Sequence, residues 1–206
     1  MSSEKHRPTE PLVLLALTAV ALVVSGIAPY DRTTWYLEVG PVVIGAVILV
    51  ATYRRFRLTP LLYRLLFLHA LVLILGGHYT YARVPLGFWV QDWFDLARNH
   101  YDRLGHFVQG FVPAVLAREL LLRKTPLRPG GWLFVLVVSV CLAFSATYEL
   151  LEWASAVIGG SAAEDFLGTQ GDVWDTQWDM FMALLGALTA QLALARWHDR
   201  QLAHVR

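Results

Sequence analysis

Six apolar stretches, at residues 11–28, 37–52, 60–77, 104–122, 132–153 and 178–197, constrain this chain more than any other feature of its sequence. A hydrocarbon core of about 30 Å takes roughly 20 apolar residues of helix, and backbone amides among lipid tails must be hydrogen-bonded within their own segment. The expected fold is therefore all-α: a polytopic membrane protein with six transmembrane helices in one bundle, residues 1–206 forming a single transmembrane helical domain. Composition agrees, with 56% hydrophobic and 16% charged residues against roughly 45–50% and about 25% in an average soluble domain. A formal net charge of +1 lacks the basic excess of a nucleic-acid binder. The lone Cys141 rules out both an intrachain disulfide and a multi-cysteine metal cluster.

Turn and charge signals separate the spans, as in Ala28-Pro29-Tyr30-Asp31-Arg32, Arg54-Arg55-Phe56-Arg57 and Thr125-Pro126-Leu127-Arg128-Pro129-Gly130-Gly131. Positive residues concentrate on the cytoplasmic side of membrane proteins. Here one set of alternate loops and helix ends collects Lys5, Arg7, Arg54, Arg55, Arg57, Arg64, Arg118, Arg123, Lys124, Arg128, Arg196, Arg200 and Arg206. The other holds Arg32, Arg83, Arg98 and Arg103. Both termini are accordingly expected in the cytoplasm. The first span follows a short basic segment, as a signal peptide would, but Pro29 succeeds Ala28 with no small-residue cleavage pattern, which favours an uncleaved helix.

Ionisable side chains within spans cost several kcal/mol each, so their placement is informative. The first two spans read as almost free of them, and the third carries Arg64, His69 and His78. The last three spans are different. Asp102 and His106 are four residues apart, Glu149 and Glu152 three apart, and Asp175 and Asp179 four apart, with Asp172 extending that stripe. Each pair occupies one helix face. Since the fourth span enters from the outer side, the fifth ends there and the sixth begins there, the three pairs share one membrane depth. The outer segment from His78 to His100, with Phe88, Trp89, Asp92, Trp93, Asp95 and Leu96, is expected to form an interfacial helix and a lid. The second outer loop, 159–166, has no Lys or Arg and reads as flexible.

Carboxylates with a neutral imidazole suit a divalent cation such as Mg, Mn, Ca or Zn, and the same groups serve as general acid and base. Asp102, His106, Glu149, Glu152, Asp175 and Asp179 are the candidate catalytic residues, and His106, Glu149, Asp175 and Asp179 the candidate metal ligands. The alternative is an ion-pair network in which Arg98, Arg103, Gln109, Gln177 and the tyrosines absorb the acids. Trp132, Trp153, Trp174 and Trp178 read as interfacial belt residues. Neither GxSxG, a phosphate-binding GxxxxGK[ST], HExxH nor GxGxxG occurs in a suitable context, which disfavours nucleotide-driven transport.

Several strings resemble the YjdF family of bacterial inner-membrane proteins: His78-Tyr79-Thr80-Tyr81-Ala82, the run from Arg98 to Gly110, Ala117-Arg118-Glu119, Glu149-Leu150-Leu151-Glu152-Trp153, and the run from Gln170 to Met180. The resemblance covers about residues 78–186 and implies a multi-span protein of the plasma membrane. A more distant similarity is to VanZ-like membrane proteins, whose Asp-Lys-x-x-His-Phe, Glu-x-x-Gln and Asp-x-x-x-Asn patterns align with Asp102 to Phe107, Glu149 to Glu152 and Asp175 to Asp179. Arg103 stands for Lys, Glu152 for Gln and Asp179 for Asn; the latter two changes add negative charge.

The functional expectation is an inner-membrane protein with an outward-facing acidic and histidine pocket. It would be a metal-dependent site binding or acting on a lipid-linked envelope molecule, with the lipid bilayer as its surroundings and no nucleic-acid partner. A cation or proton transporter would use the same acids but needs a continuous polar path to the cytoplasm, which the inner halves of these helices do not display in sequence. A non-enzymatic partner protein would hold them as a structural network.

Overall fold

The computed structural model describes residues 9–159 and 169–205, and these form helices without any strand. In chain order they are α1 (Thr9–Ser25), α2 (Arg32–Thr52), α3 (Pro60–Tyr79), a 3-10 turn (Tyr81–Arg83), α4 (Pro85–Phe94), α5 (Tyr101–Lys124), α6 (Gly131–Gly159) and α7 (Asp175–Leu202). Four of them, α2, α3, α6 and α7, are long and apolar enough to cross a membrane, and α1 is a shorter apolar helix of 17 residues. α5 has 24 residues, about 36 Å at 1.5 Å per residue. It packs against α3, α6 and α7, and that central position lets its charged residues face protein. Outward, Val20, Ile44 and Leu150 are each more than 60% exposed, as lipid-facing side chains are.

The helices overrun the apolar windows at their polar ends. α2 starts at Arg32 rather than 37, α6 continues to Gly159 rather than 153, and α7 runs from Asp175 to Leu202 rather than 178–197. Hydropathy stops where polar residues begin, whereas a helix continues when those residues find partners. Start signals follow the expected chemistry: Thr59 caps α3 by accepting from the Leu62 amide, with Pro60 in the first turn.

Asp31 caps α2, accepting from the Thr34 amide at 2.6 Å, and that bond holds its carboxyl below the usual carboxylate range. Asp31→Ala is expected to cost about 1 kcal/mol at neutral pH. Because the folded-state pKa is depressed, this contribution is complete above the unfolded-state value and disappears as pH falls through the folded one. Melting curves of wild type and variant should therefore converge in acid; a gap that widens there contradicts the cap.

The closest helix pair is α5 with α7. A Cβ on Gly110 would run into the Ala183 carbonyl, and one on Gly186 into the Phe107 carbonyl and Phe111 amide. Backbones approach this closely only where side chains are absent. The Gly110 and Gly186 contacts, with Val112, Ala114, Ala183 and Ala187 buried around them, pack the middle of the bundle tightly.

Beyond that seam the C-terminal ends of α5 and α7 are not apolar, contrary to the sequence expectation. Glu119, 0% exposed, accepts from the Thr59 hydroxyl (2.8 Å) and amide, from Arg123 Nη1 (2.6 Å) and from His198 Nε2 (3.0 Å). Arg118 donates to His198 Nδ1 (3.1 Å) and to Asp199 (2.8 Å). This cluster ties the start of α3 to the ends of α5 and α7. Its polar atoms satisfy one another, so it serves as a structural lock. The charge run at 118–124 masked it in sequence, because it reads as a membrane-surface flank.

Candidate acidic site at the opposite end of the bundle

Helix geometry places Asp102 and His106 one turn apart at the start of α5, Glu149 and Glu152 on the last turns of α6, and Asp175 and Asp179 on the first turns of α7. Packing of α5 on both α6 and α7 brings these ends together. Asp102, His106 and Asp179 each offer a ligand atom, and the three atoms lie within 4.8 Å of one another. His106 Nε2 is 3.6 Å from Asp102 Oδ1, and its Nδ1 is 3.7 Å from Glu149 Oε1. His106 Nδ1 also lies 3.0 Å from Gln109 Oε1. With Nδ1–H donating there, Nε2 keeps its lone pair toward Asp102, the tautomer a metal-ligating imidazole needs.

Asp172 and Asp175 behave differently. Arg98 Nη1 binds Asp175 at 2.7 Å and Asp172 at 3.5 Å, and Arg103 binds Asp172 at 2.7 Å while its guanidinium lies over the Trp178 ring. The alternative ion-pair network thus exists, but it takes Asp172 and Asp175, before and at the start of α7. Asp175, an expected metal ligand, pairs with Arg98, whereas the acid whose oxygen lies with the His106 and Asp179 ligand atoms is Asp102. No lysine or arginine among the described residues forms a salt bridge with Asp102, Glu149, Glu152 or Asp179. Asp179, only 2% exposed, leaves Oδ1 without a hydrogen-bond partner, and Glu149 leaves Oε1 likewise. Buried negative charge of this kind is compensated by protons or by a bound cation.

Beside this group lies a cavity of about 60 Å³, to which α2, α3, the 3-10 turn, α5 and α6 contribute. Asp102, His106, Gln109 and Glu152 line one side. Glu38 of α2 and His69 of α3 face them, and Tyr81 and Tyr148 also line it. Glu38 is 3% exposed and accepts from the Tyr148 hydroxyl at 3.3 Å. Glu38 corrects the expectation of a second span nearly free of ionisable groups: it stands one residue into the apolar window at 37–52, where it resembles a boundary residue. His78, by contrast, bonds the Ser25 carbonyl at 2.8 Å through Nδ1 and fastens α3 to α1.

The lid reading also changes. α4 forms where an interfacial helix was expected, with Trp89 and Trp93 exposed, yet none of its residues lines the cavity; Tyr81 of the preceding turn does. The loop at 160–166 lies outside the described residues. Trp132, Trp153, Trp174 and Trp178 are all exposed, as an interfacial belt requires.

Long apolar helices enclosing carboxylates and an imidazole define a multi-pass α-helical membrane protein with a buried polar centre. Comparison with known proteins takes this further. The chain belongs to the family described as "Predicted membrane protein (DUF2238)", which matches residues 10–200. Over 200 residues it is 56% identical to a protein of Escherichia coli (strain K12) named "Inner membrane protein YjdF", with 95% of each chain covered. No solved structure matches it. The chain is thus a multi-pass protein of the bacterial inner membrane.

Proposed function

We propose that Asp102, His106 and Asp179 hold a divalent cation at the outer face of a six-span bundle, and that the protein binds or acts on a lipid-linked envelope molecule there. The observation that carries this reading is the unpartnered, buried Oδ1 of Asp179 beside Asp102 and His106. Ligands around one cation at roughly 2.0–2.6 Å lie at most about 5 Å apart, and the three candidate atoms meet that limit. A cation so held would polarise a bound oxygen or activate a water. Glu149 and Glu152 would remain beside it to take or hold a proton. The orientation, with both termini cytoplasmic, is supported by Arg54, Arg55, Arg57, Arg123, Lys124 and Arg128, which flank the opposite helix ends.

The second reading, a cation or proton transporter, gains a second polar cluster at Glu119 and His198, which the close α5–α7 approach at Gly110 and Gly186 separates from the acidic site along the bundle.

Calorimetric titration of purified protein with Mg²⁺, Ca²⁺, Mn²⁺ and Zn²⁺ tests the proposal. One of these should bind, and affinity should fall by about 100-fold in His106→Ala and Asp179→Asn variants whose melting temperatures remain near wild type. Asp175→Asn, which removes an Arg98 partner, should keep most of the affinity. The proposal fails if none of the four cations binds, or if the folded variants bind as wild type does.

A further inference from the structure

The cavity beside the acidic cluster has a sidedness that points to its ligand. α2 packs on α3, and α6 packs on α5 and α7. Across the cavity α2 and α6 are joined by the hydrogen bond from Tyr148 to Glu38. One turn below that link α2 and α6 present the apolar Pro41 and Phe144, and α3 contributes Leu73 and, a turn deeper, His69. Phe144 is 50% exposed on the surface of α6 and lies 15 residues, about 22 Å, from the helix end at Gly159. This mouth therefore opens among lipid tails rather than into water.

The inner surface is anionic. A divalent cation on Asp102, His106 and Asp179 balances the two carboxylates of that set, which leaves Glu38 and Glu152 facing the cavity, with no lysine or arginine in its lining. Tyr81 and Tyr148 add aromatic rings there. Carboxylates with aromatic faces recognise cations, above all ammonium groups, and disfavour phosphates. The volume of about 60 Å³, several times the roughly 10–15 Å³ one water needs, suits a small head group rather than a sugar.

We infer that the gap between α2 and α6 admits, from the bilayer, an amphiphile with a primary-ammonium head, which Glu38 and Glu152 bind beside the cluster. This rests on the reading of the acidic cluster as a ligand site and specifies the class of molecule it takes.

The test uses the full chain in phosphatidylcholine nanodiscs with two photoreactive probes, a diazirine-bearing long-chain primary amine and the matching alcohol. The amine should label α2 and α6 around Pro41 and Phe144 at least about tenfold more than the alcohol does. Glu38→Gln should lower amine labelling about tenfold. Phe144→Trp fills the mouth from an exposed position, so it should do the same without unfolding the protein. Equal labelling by amine and alcohol, labelling confined to other helices, or wild-type labelling in both variants overturns the inference. Mn²⁺ titration of the same samples separates the two readings. Mn²⁺ binding lost in Asp179→Asn, alongside equal amine and alcohol labelling, retains the cation site and rejects the ammonium. Selective amine labelling in a protein that binds no divalent cation rejects the cation site and retains the ammonium.

Discussion

Glu119→Ala is expected to destabilise the protein by about 3–5 kcal/mol, the cost of removing one partner from a buried ionic cluster. The loss strands several groups at once. Arg123 Nη1 loses its 2.6 Å carboxylate and His198 Nε2 its 3.0 Å acceptor, and the Thr59 hydroxyl and amide lose the oxygens that hold the start of α3. A control lies close by: Asp199 also pairs with Arg118, at 2.8 Å, but its side chain is 42% exposed. Asp199→Ala should therefore cost no more than about 1 kcal/mol. Denaturation of both variants in the same detergent reads the difference, and equal losses would show that Glu119 is not the keystone of this cluster.

Gly186→Ala is expected to cost about 3 kcal/mol, the upper part of the range for overpacking, because the atoms in its way are the backbone of Phe107 and Phe111 and cannot rotate aside. α5 and α7 would have to separate, and with them Asp102 and His106 on one helix and Asp179 on the other. The variant should accordingly lose divalent-cation affinity along with stability, although Gly186 lies two turns from Asp179. Gly45 on α2 has nothing within 4 Å of an added Cβ, so Gly45→Ala should be neutral or slightly stabilising. A Gly186→Ala protein that melts like wild type would contradict the close approach.

How much of the candidate site was legible follows from the reach of each signal. The i to i+4 relation of Asp102 and His106 belongs to one helix, and any helix there imposes it. Asp175 and Asp179 share a stripe by the same rule, yet one meets Arg98 and the other meets His106 and Asp102. Spacing alone cannot separate them, because the choice depends on how far along α7 the Arg98 side chain reaches. Glu38 is hidden in the sequence for a related reason: an acid at the edge of an apolar run is indistinguishable from a loop residue until the capped start of α2 at Asp31 carries the helix past it.

Read alone, the sequence is sufficient for the helical, membrane-spanning character of the chain, the approximate position of its long helices and the pairing of acids along single helices. These follow from local geometry and from the cost of exposing backbone or charge to lipid. Helix packing sets which carboxylates pair with arginine and which gather around His106, brings Glu38 of α2 to the cavity, and joins Glu119 and His198 in a lock at the other end. Those outcomes depend on helices distant in the chain approaching at Gly110 and Gly186, where the absence of a side chain determines which faces can meet.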